Sequence, residues 1–231
     1  MNSFRILIAG ITILTFASCQ SLVFSKKEMD FATNMSALLK GAHVNLSKGV
    51  ASSTTNGNLK YFEIEIEGLT SDSVHADEDL LLASSMPAYI FYKDTVDDRK
   101  SYKYIDVTVK GNGKEYSARY TPDQLQAVHA CFAALGGYIG ALTRLNSDSL
   151  SYYTDTSVTN HSPVAAVIET MKEMDTKWGP VQEQDTKGFK FDTKDGKDIL
   201  YFHFSLRRGT VSQGVNLWMD PLTKKVVGSQ I

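Results

Sequence analysis

The side chains able to carry chemistry are few and scattered. Five histidines, His43, His75, His129, His161 and His203, show no spacing suited to zinc, and His129 and Cys131, two apart in a helical stretch, do not face each other. No Gly-x-Ser-x-Gly nucleophile elbow occurs. The best candidate for acid or base work is His203, because an imidazole titrates near neutrality. It sits in "LYFHFSLR", where Leu200, Phe202, Phe204 and Leu206 alternate with Tyr201, His203, Ser205 and Arg207. One face of that strand is apolar, and the other could line a ligand pocket together with Trp218 from the next apolar run. A base also needs an orienting partner and a substrate cavity, and spacing names neither. A histidine on an ordinary amphipathic strand, and a tryptophan capping a core, are the plainer readings. No catalytic residue, metal or cofactor is therefore assigned, and Tyr201, His203, Arg207 and Trp218 stand as a possible ligand-pocket set.

Other patterns lose their chemical meaning once spacing is considered. Glu63, Glu65 and Glu67 alternate with Phe62, Ile64 and Ile66, which puts the carboxylates together on the wet face of a half-buried strand. "GGYIG" at 136–140 lies within a helical stripe with no strand before it, so close packing or a bend explains it better than phosphate binding. "DTKDGKD" at 192–198 could serve as a calcium loop only with Phe191 among its ligands, and reads as a solvated turn. "DDRK" at 97–100 reads as a surface loop. A formal net charge of −2, from 24 basic and 26 acidic side chains, gives no electrostatic basis for binding nucleic acid.

These residues must be positioned by a succession of helical and strand patterns. Phe31, Met35, Leu38, Leu39 and Ala42 recur at helical spacing. The stretch from Ser47 to Asn58, rich in Ser, Thr, Gly and Asn, predicts a loop before the Phe62–Ile66 strand. A helix is predicted from Ala76 to about Tyr92, with Leu82, Met86, Tyr89 and Ile90 on one side; Pro87 predicts a kink in it, or a break followed by a strand "AYIFY". Ile105, Val107 and Val109, a turn at Gly111-Asn112-Gly113, and Tyr116, Ala118 and Tyr120 predict a hairpin. Thr121-Pro122-Asp123-Gln124 has the form of a capped helix start, followed by the stripe Leu125, Val128, Phe132, Leu135, Ile139 and Leu142, within which Cys131 is expected to be buried. Ser162 and Pro163 open another helix, with Val164, Val167, Ile168, Met171 and Met174 on one face and Trp178-Gly179-Pro180 at its end. The remaining apolar runs predict an antiparallel meander packed on the helices.

At the start of the chain, Arg5 precedes an apolar run from Ile6 to Phe16 and the small residues Ala17 and Ser18. That is the layout of a secretory signal peptide, and the run is short for a membrane span. Phe16-Ala17-Ser18-Cys19 resembles the lipobox of bacterial lipoproteins, with Phe16 in place of the usual Leu. The resemblance implies cleavage before Cys19, a diacylglycerol on its thiol, often a further acyl chain such as palmitate on the new amino terminus, and a membrane anchor. With Gln20 rather than Asp at the second mature position, it further implies the outer membrane if the cell is Gram-negative. Ordinary signal cleavage near Ser18 is the alternative. With Cys19 acylated, Cys131 has no disulfide partner.

From residue 121 onward, a long helix, a short "SYYTDTS" segment, a helix closed by Gly and a meander ending in "VVGSQI" resemble the cone-shaped fold of the nuclear-transport-factor-like superfamily. That fold hosts isomerases, dehydratases, binding proteins and structural modules alike, so the resemblance implies architecture and no activity. The expected class is α+β. Residues 1–18 are expected as signal peptide, 19–27 as a lipidated tether, 28–120 as a small α+β domain and 121–231 as a cone-like domain. The expected function is a lipid-anchored bacterial envelope protein acting as a non-catalytic interaction or structural module. Its expected partners are the membrane and another envelope protein, not nucleic acid. The alternative is a small-ligand binder or enzyme using the cone pocket.

Overall fold

The computed structural model describes residues 24–39, 42–53, 57–69, 77–95, 102–111, 113–157, 164–194 and 196–231. Helix α1 (Lys26–Leu38) opens on a capping box: the Glu28 N–H donates to Ser25 Oγ at 3.4 Å, and the Ser25 N–H donates to Glu28 Oε2 at 2.6 Å. It begins inside the stretch read as tether, and it buries Glu28, Phe31 and Met35. Strands β1 (His43–Ser53) and β2 (Gly57–Leu69) then pair antiparallel along their whole length. The polar run from Ser47 to Asn58 is therefore largely strand, against the expectation of a loop. Its small residues pair through their backbones, and Gly49 leaves room for the Tyr61 ring, whose Cζ would lie 2.1 Å from a Cβ at position 49.

Helix α2 (Asp77–Asp94) carries the chain across so that β3 (Tyr104–Gly111) lies parallel to β2, and β4 (Lys114–Tyr120) returns antiparallel. The result is a mixed sheet in the order β1-β2-β3-β4. α2 runs unbroken through Pro87, so the strand alternative for "AYIFY" falls. Ser84 and Ser85 in the preceding turn are fully buried, and their hydroxyls donate to the Leu81 and Leu82 carbonyl oxygens at 2.7 Å. These bonds satisfy the two buried hydroxyls within the helix.

Helix α3 (Pro122–Thr143) has the capping box that its sequence predicts, with Thr121 and Gln124 exchanging bonds of 3.3 and 2.9 Å. By length and composition it could cross a membrane, but Leu125, Val128, Leu135 and Leu142 are fully buried in the core. Helix α4 (Ser147–Tyr153) packs against it where a Cβ at Gly137 would lie 2.2 Å from Tyr153 Cζ, so "GGYIG" serves close packing. Helix α5 (Val164–Trp178) follows; Ser162 and Pro163, read as its cap, lie outside the described residues, as do Asn112 and "DDRK" at 97–100. Strands β5 (Glu183–Lys194), β6 (Lys197–Arg208), β7 (Val211–Asp220) and β8 (Lys225–Gln230) form the antiparallel meander, in the order β5-β6-β7-β8. The class is α+β, and one apolar cluster draws on both sheets and on all five helices of the described residues.

The two sheets meet through α2, which packs on β3 and β4 and also on β5, an edge strand of the second sheet. There the Phe189 N–H donates to Ser85 Oγ at 2.8 Å, and Ser84 Oγ lies 2.9 Å from the Tyr120 hydroxyl. A Cβ on Gly188 would sit 2.3 Å from the Leu82 carbonyl oxygen, so strand and helix backbones touch. A bulge between Thr186 and Gly188 adjoins this contact. Helix α2 thereby covers part of an edge that would otherwise offer bare backbone groups.

Candidate functional site

Alternation along the meander decides which face does what. Phe189, Phe202, Phe204, Leu206, Val215 and Leu217 all join the core. The Phe132 ring of α3 stands 5.6 Å from Phe202, and Tyr120 6.0 Å from Phe189, so apolar rings fill the space between sheet and helices. Tyr201, His203 and Trp218 occupy the opposite face of the sheet.

On that face three side chains converge on one amide. The Tyr201 hydroxyl donates to Asn216 Oδ1 at 2.7 Å, and His203 Nδ1 lies 2.6 Å from the same oxygen. An amide oxygen only accepts, so His203 carries a proton on Nδ1, and in the neutral imidazole Nε2 then keeps a lone pair. Asn216 Nδ2 donates in turn to Gln230 Oε1 at 3.2 Å. Tyr201 is 6% exposed: Lys190 Nζ lies 4.6 Å from its ring centroid and Trp218 stands edge-on at 5.4 Å. A Cβ at Gly228 would lie 3.2 Å from Trp218 Cε3, and one at Gly214 would lie 3.0 Å from His203 Cε1, so both rings lean over glycines. Ser205 and Ser212 hydroxyls pair at 2.5 Å nearby. Arg207, expected with this set, is instead exposed near the end of β6 and paired with the Glu183 carboxylate.

Asn216 and Lys190 were not anticipated. The outward aim of Asn216 is legible from its place between Val215 and Leu217. Its pairing with His203 follows from the two-residue turn Gly209-Thr210, with Gly209 at φ 54°, which sets Arg208 opposite Val211 and hence His203 opposite Asn216.

The remaining chemical residues stand apart from this cluster. Lys110 binds the Glu65 carboxylate and reaches Glu67 at 3.2 Å, while Ser47 donates to Glu63 at 2.6 Å, so the three glutamates line the outer face of the first sheet. Cys131 is fully buried on α3, and burial pushes its thiol up to about 11. His129 Nδ1 lies 3.0 Å from the Tyr89 hydroxyl. Among the described residues no group of three His, Cys, Asp or Glu is placed to hold a metal ion. An open cleft of about 430 Å³ lies where Tyr92, Tyr102 and Lys103 approach Asp123 and Gln126, away from the His203 cluster. Cys19 lies outside the described residues.

No family model and no curated protein matches the chain. Among solved structures it is similar to a SnoaL-like polyketide cyclase from Shewanella denitrificans OS-217, at 18% identity over 43% of this chain and 86% of that one, with a TM-score of 0.25. It is also similar to the helical cell shape determining protein Pgp2 from Campylobacter jejuni, at 13% identity over 75% of this chain and 60% of that one, with a TM-score of 0.33. At such scores neither likeness bears on function, and the architecture rests on the chain's own helices and strands.

Proposed function

We propose that this chain is a lipid-anchored protein of the bacterial envelope whose folded part holds another envelope component on the outer face of the second sheet, without turning it over. One observation carries the binding half. Tyr201, Asn216 and His203 are ordered by their own hydrogen bonds on an open sheet face, while the side that meets the helices is filled by rings. A catalytic base works on a reacting atom held against it with water kept out, and an open face offers no such enclosure. Ordered polar groups beside a partly exposed Trp218 are suited to recognition instead. The anchor half is supported by the apolar run to Phe16 and the sequence Ala17-Ser18-Cys19. More than one acyl chain there gives stable attachment where a single chain would be marginal.

Native mass spectrometry of the full chain, extracted gently from membranes, tests both halves. The expected spectrum contains the chain from Cys19 onward plus acyl groups, and Cys19→Ser is expected to leave the membrane fraction. An unmodified chain, or a Cys19→Ser variant that stays on the membrane, would remove the anchor. A bound component retained by the wild type and lost from Asn216→Ala supports the binding half; equal retention by both contradicts it.

A further inference from the structure

We propose that the component held on this face is an uncharged, hydroxyl-rich strand, a glycan, lying across Trp218 and the row His203–Asn216–Gln230; this rests on the reading that the face binds at all. The charge pattern favours a neutral occupant. The cations nearest the row are engaged, Lys190 with the Tyr201 ring, Arg207 with Glu183, and Lys187 with Asp185 at 2.6 Å, while Lys194 and Lys197 stand further off at the β5–β6 hairpin end. A polyanion or an anionic bilayer draws its affinity from cations whose counterions it can replace, and two of these nearest three are already paired with carboxylates.

The hydrogen-bonding groups favour hydroxyls. His203 gives its Nδ1–H to Asn216, and its Nε2, which has no hydrogen-bond partner among the described residues, accepts from a hydroxyl in the neutral imidazole and donates to one in the imidazolium. Asn216 Nδ2 has a second N–H beyond the one given to Gln230, whose own amide nitrogen supplies two more donors. An acceptor and donors in one row match a ligand whose every hydroxyl can give and take a hydrogen bond. The rings complete the fit. Trp218 and His203 lean over Gly228 and Gly214, which leaves low, flat ring surfaces where side chains would otherwise stand. A ring face is electron-rich, and the C–H face of a pyranose packs against it.

The test uses the full chain, labelled with nitrogen-15, titrated with N-acetylglucosamine hexamer and with cellohexaose. The chain has two tryptophans, and Trp178 at the end of α5 serves as the internal control. The expected result is a saturable shift of the Trp218 indole and of the Asn216 and Gln230 side-chain amides, with Trp178 unmoved. Trp218→Ala is expected to weaken binding about tenfold or more, and Trp218→Phe less. Asn216→Asp keeps the shape but adds a charge, and is expected to weaken binding while the fold, read from the remaining amide peaks, is kept. No saturable shift with either sugar overturns the glycan. If the same peaks then move with protein concentration, or with phosphatidylethanolamine–phosphatidylglycerol vesicles, the face binds a second copy or a lipid surface: the glycan is wrong and the binding face stands. If none of these moves them, both readings fall.

Discussion

Both sheets carry the same cross-strand row on their outer faces, and the rows differ in what surrounds them. Across the first sheet run Gly49, Tyr61 and Tyr104, with the Arg119 guanidinium 3.9 Å from the Tyr104 ring centroid. Across the second run Gly228, Trp218, Tyr201 and Lys190. Each row reads glycine, aromatic, aromatic, cation: the glycine lets one ring lean over, and the cation covers the other. Around the first row the polar groups satisfy one another, with Arg119 bonded to both Asp106 oxygens at 2.7 and 2.9 Å, Lys110 between two glutamates, and Thr108 against Ser117. Around the second, Tyr201, His203, Asn216 and Gln230 form a cluster centred on an uncharged amide, and His203 Nε2 has no hydrogen-bond partner among the described residues. The row is thus a way of building a sheet face; the neighbours decide whether that face can bind.

Each half also buries one ion, and this gives the largest expected effects. Glu28 is fully buried against Lys48 at 2.7 Å and accepts from the Tyr102 hydroxyl at 2.6 Å. Glu28→Ala strands a largely buried Lys48 and is expected to cost about 3–5 kcal/mol in urea unfolding. Arg208, 1% exposed, bonds Asp175 at 3.0 Å but also Gln213 at 2.7 Å, and Asp175 is partly exposed. Asp175→Ala should therefore cost about 1–3 kcal/mol. Equal losses would erase this asymmetry between the halves.

The glycines come next. Gly188→Ala drives a methyl into the α2 backbone and is expected to cost about 1–3 kcal/mol or more. Gly49→Ala meets only the far end of the Tyr61 ring, which can swing aside, and should cost about 1 kcal/mol or less. A reversed order in thermal unfolding would mean that α2 yields more easily than a tyrosine.

The pH response is smaller. Burial alone would raise the Glu28 carboxyl, but the hydrogen bonds from Lys48, Tyr102 and Ser25 outweigh it and hold the group below its ordinary value. A depressed folded value gives stability that is present above the unfolded value and lost as pH falls through the folded one. Between about pH 5 and about pH 3, the wild type should lose more unfolding free energy than Glu28→Gln. Smallest of all is the expected reaction of Cys131: buried, with its thiol held up near 11, it should resist iodoacetamide until the protein is unfolded. Rapid labelling of the native chain would mean that α3 opens readily.

Much of the scaffold was legible because its signals are local. The alternation of Phe62, Ile64 and Ile66, the cap at Thr121 and Gln124, and the period of Leu200–Leu206 each lie within a few residues, and each formed the expected element. The misreadings involve distant partners. Ser47–Asn58 looked like a loop because its strand character comes from pairing with β2 and from a tyrosine lying over Gly49. At Pro87 the expected helix formed, and the alternative of a break stayed open only because the contacts of Ser84 and Ser85 with β4 and β5 are invisible in the sequence. In the candidate site, His203 and Tyr201 were chosen for their chemistry, whereas Asn216, which orders them, shows no chemistry of its own until register sets it between them.

The cover that α2 gives to β5 also bears on the order in which the chain is made. Synthesis and export of a chain both run from the N-terminus, so α2 and the first sheet emerge before β5, which then meets a helix already made. A circular permutant that begins at Thr121 would reverse this sequence. Its β5 edge, with the Phe189 N–H unmet, would emerge with nothing to cover it and pair with the next chain instead. Greater aggregation of that permutant than of the natural chain on expression is the outcome this contact leads one to expect.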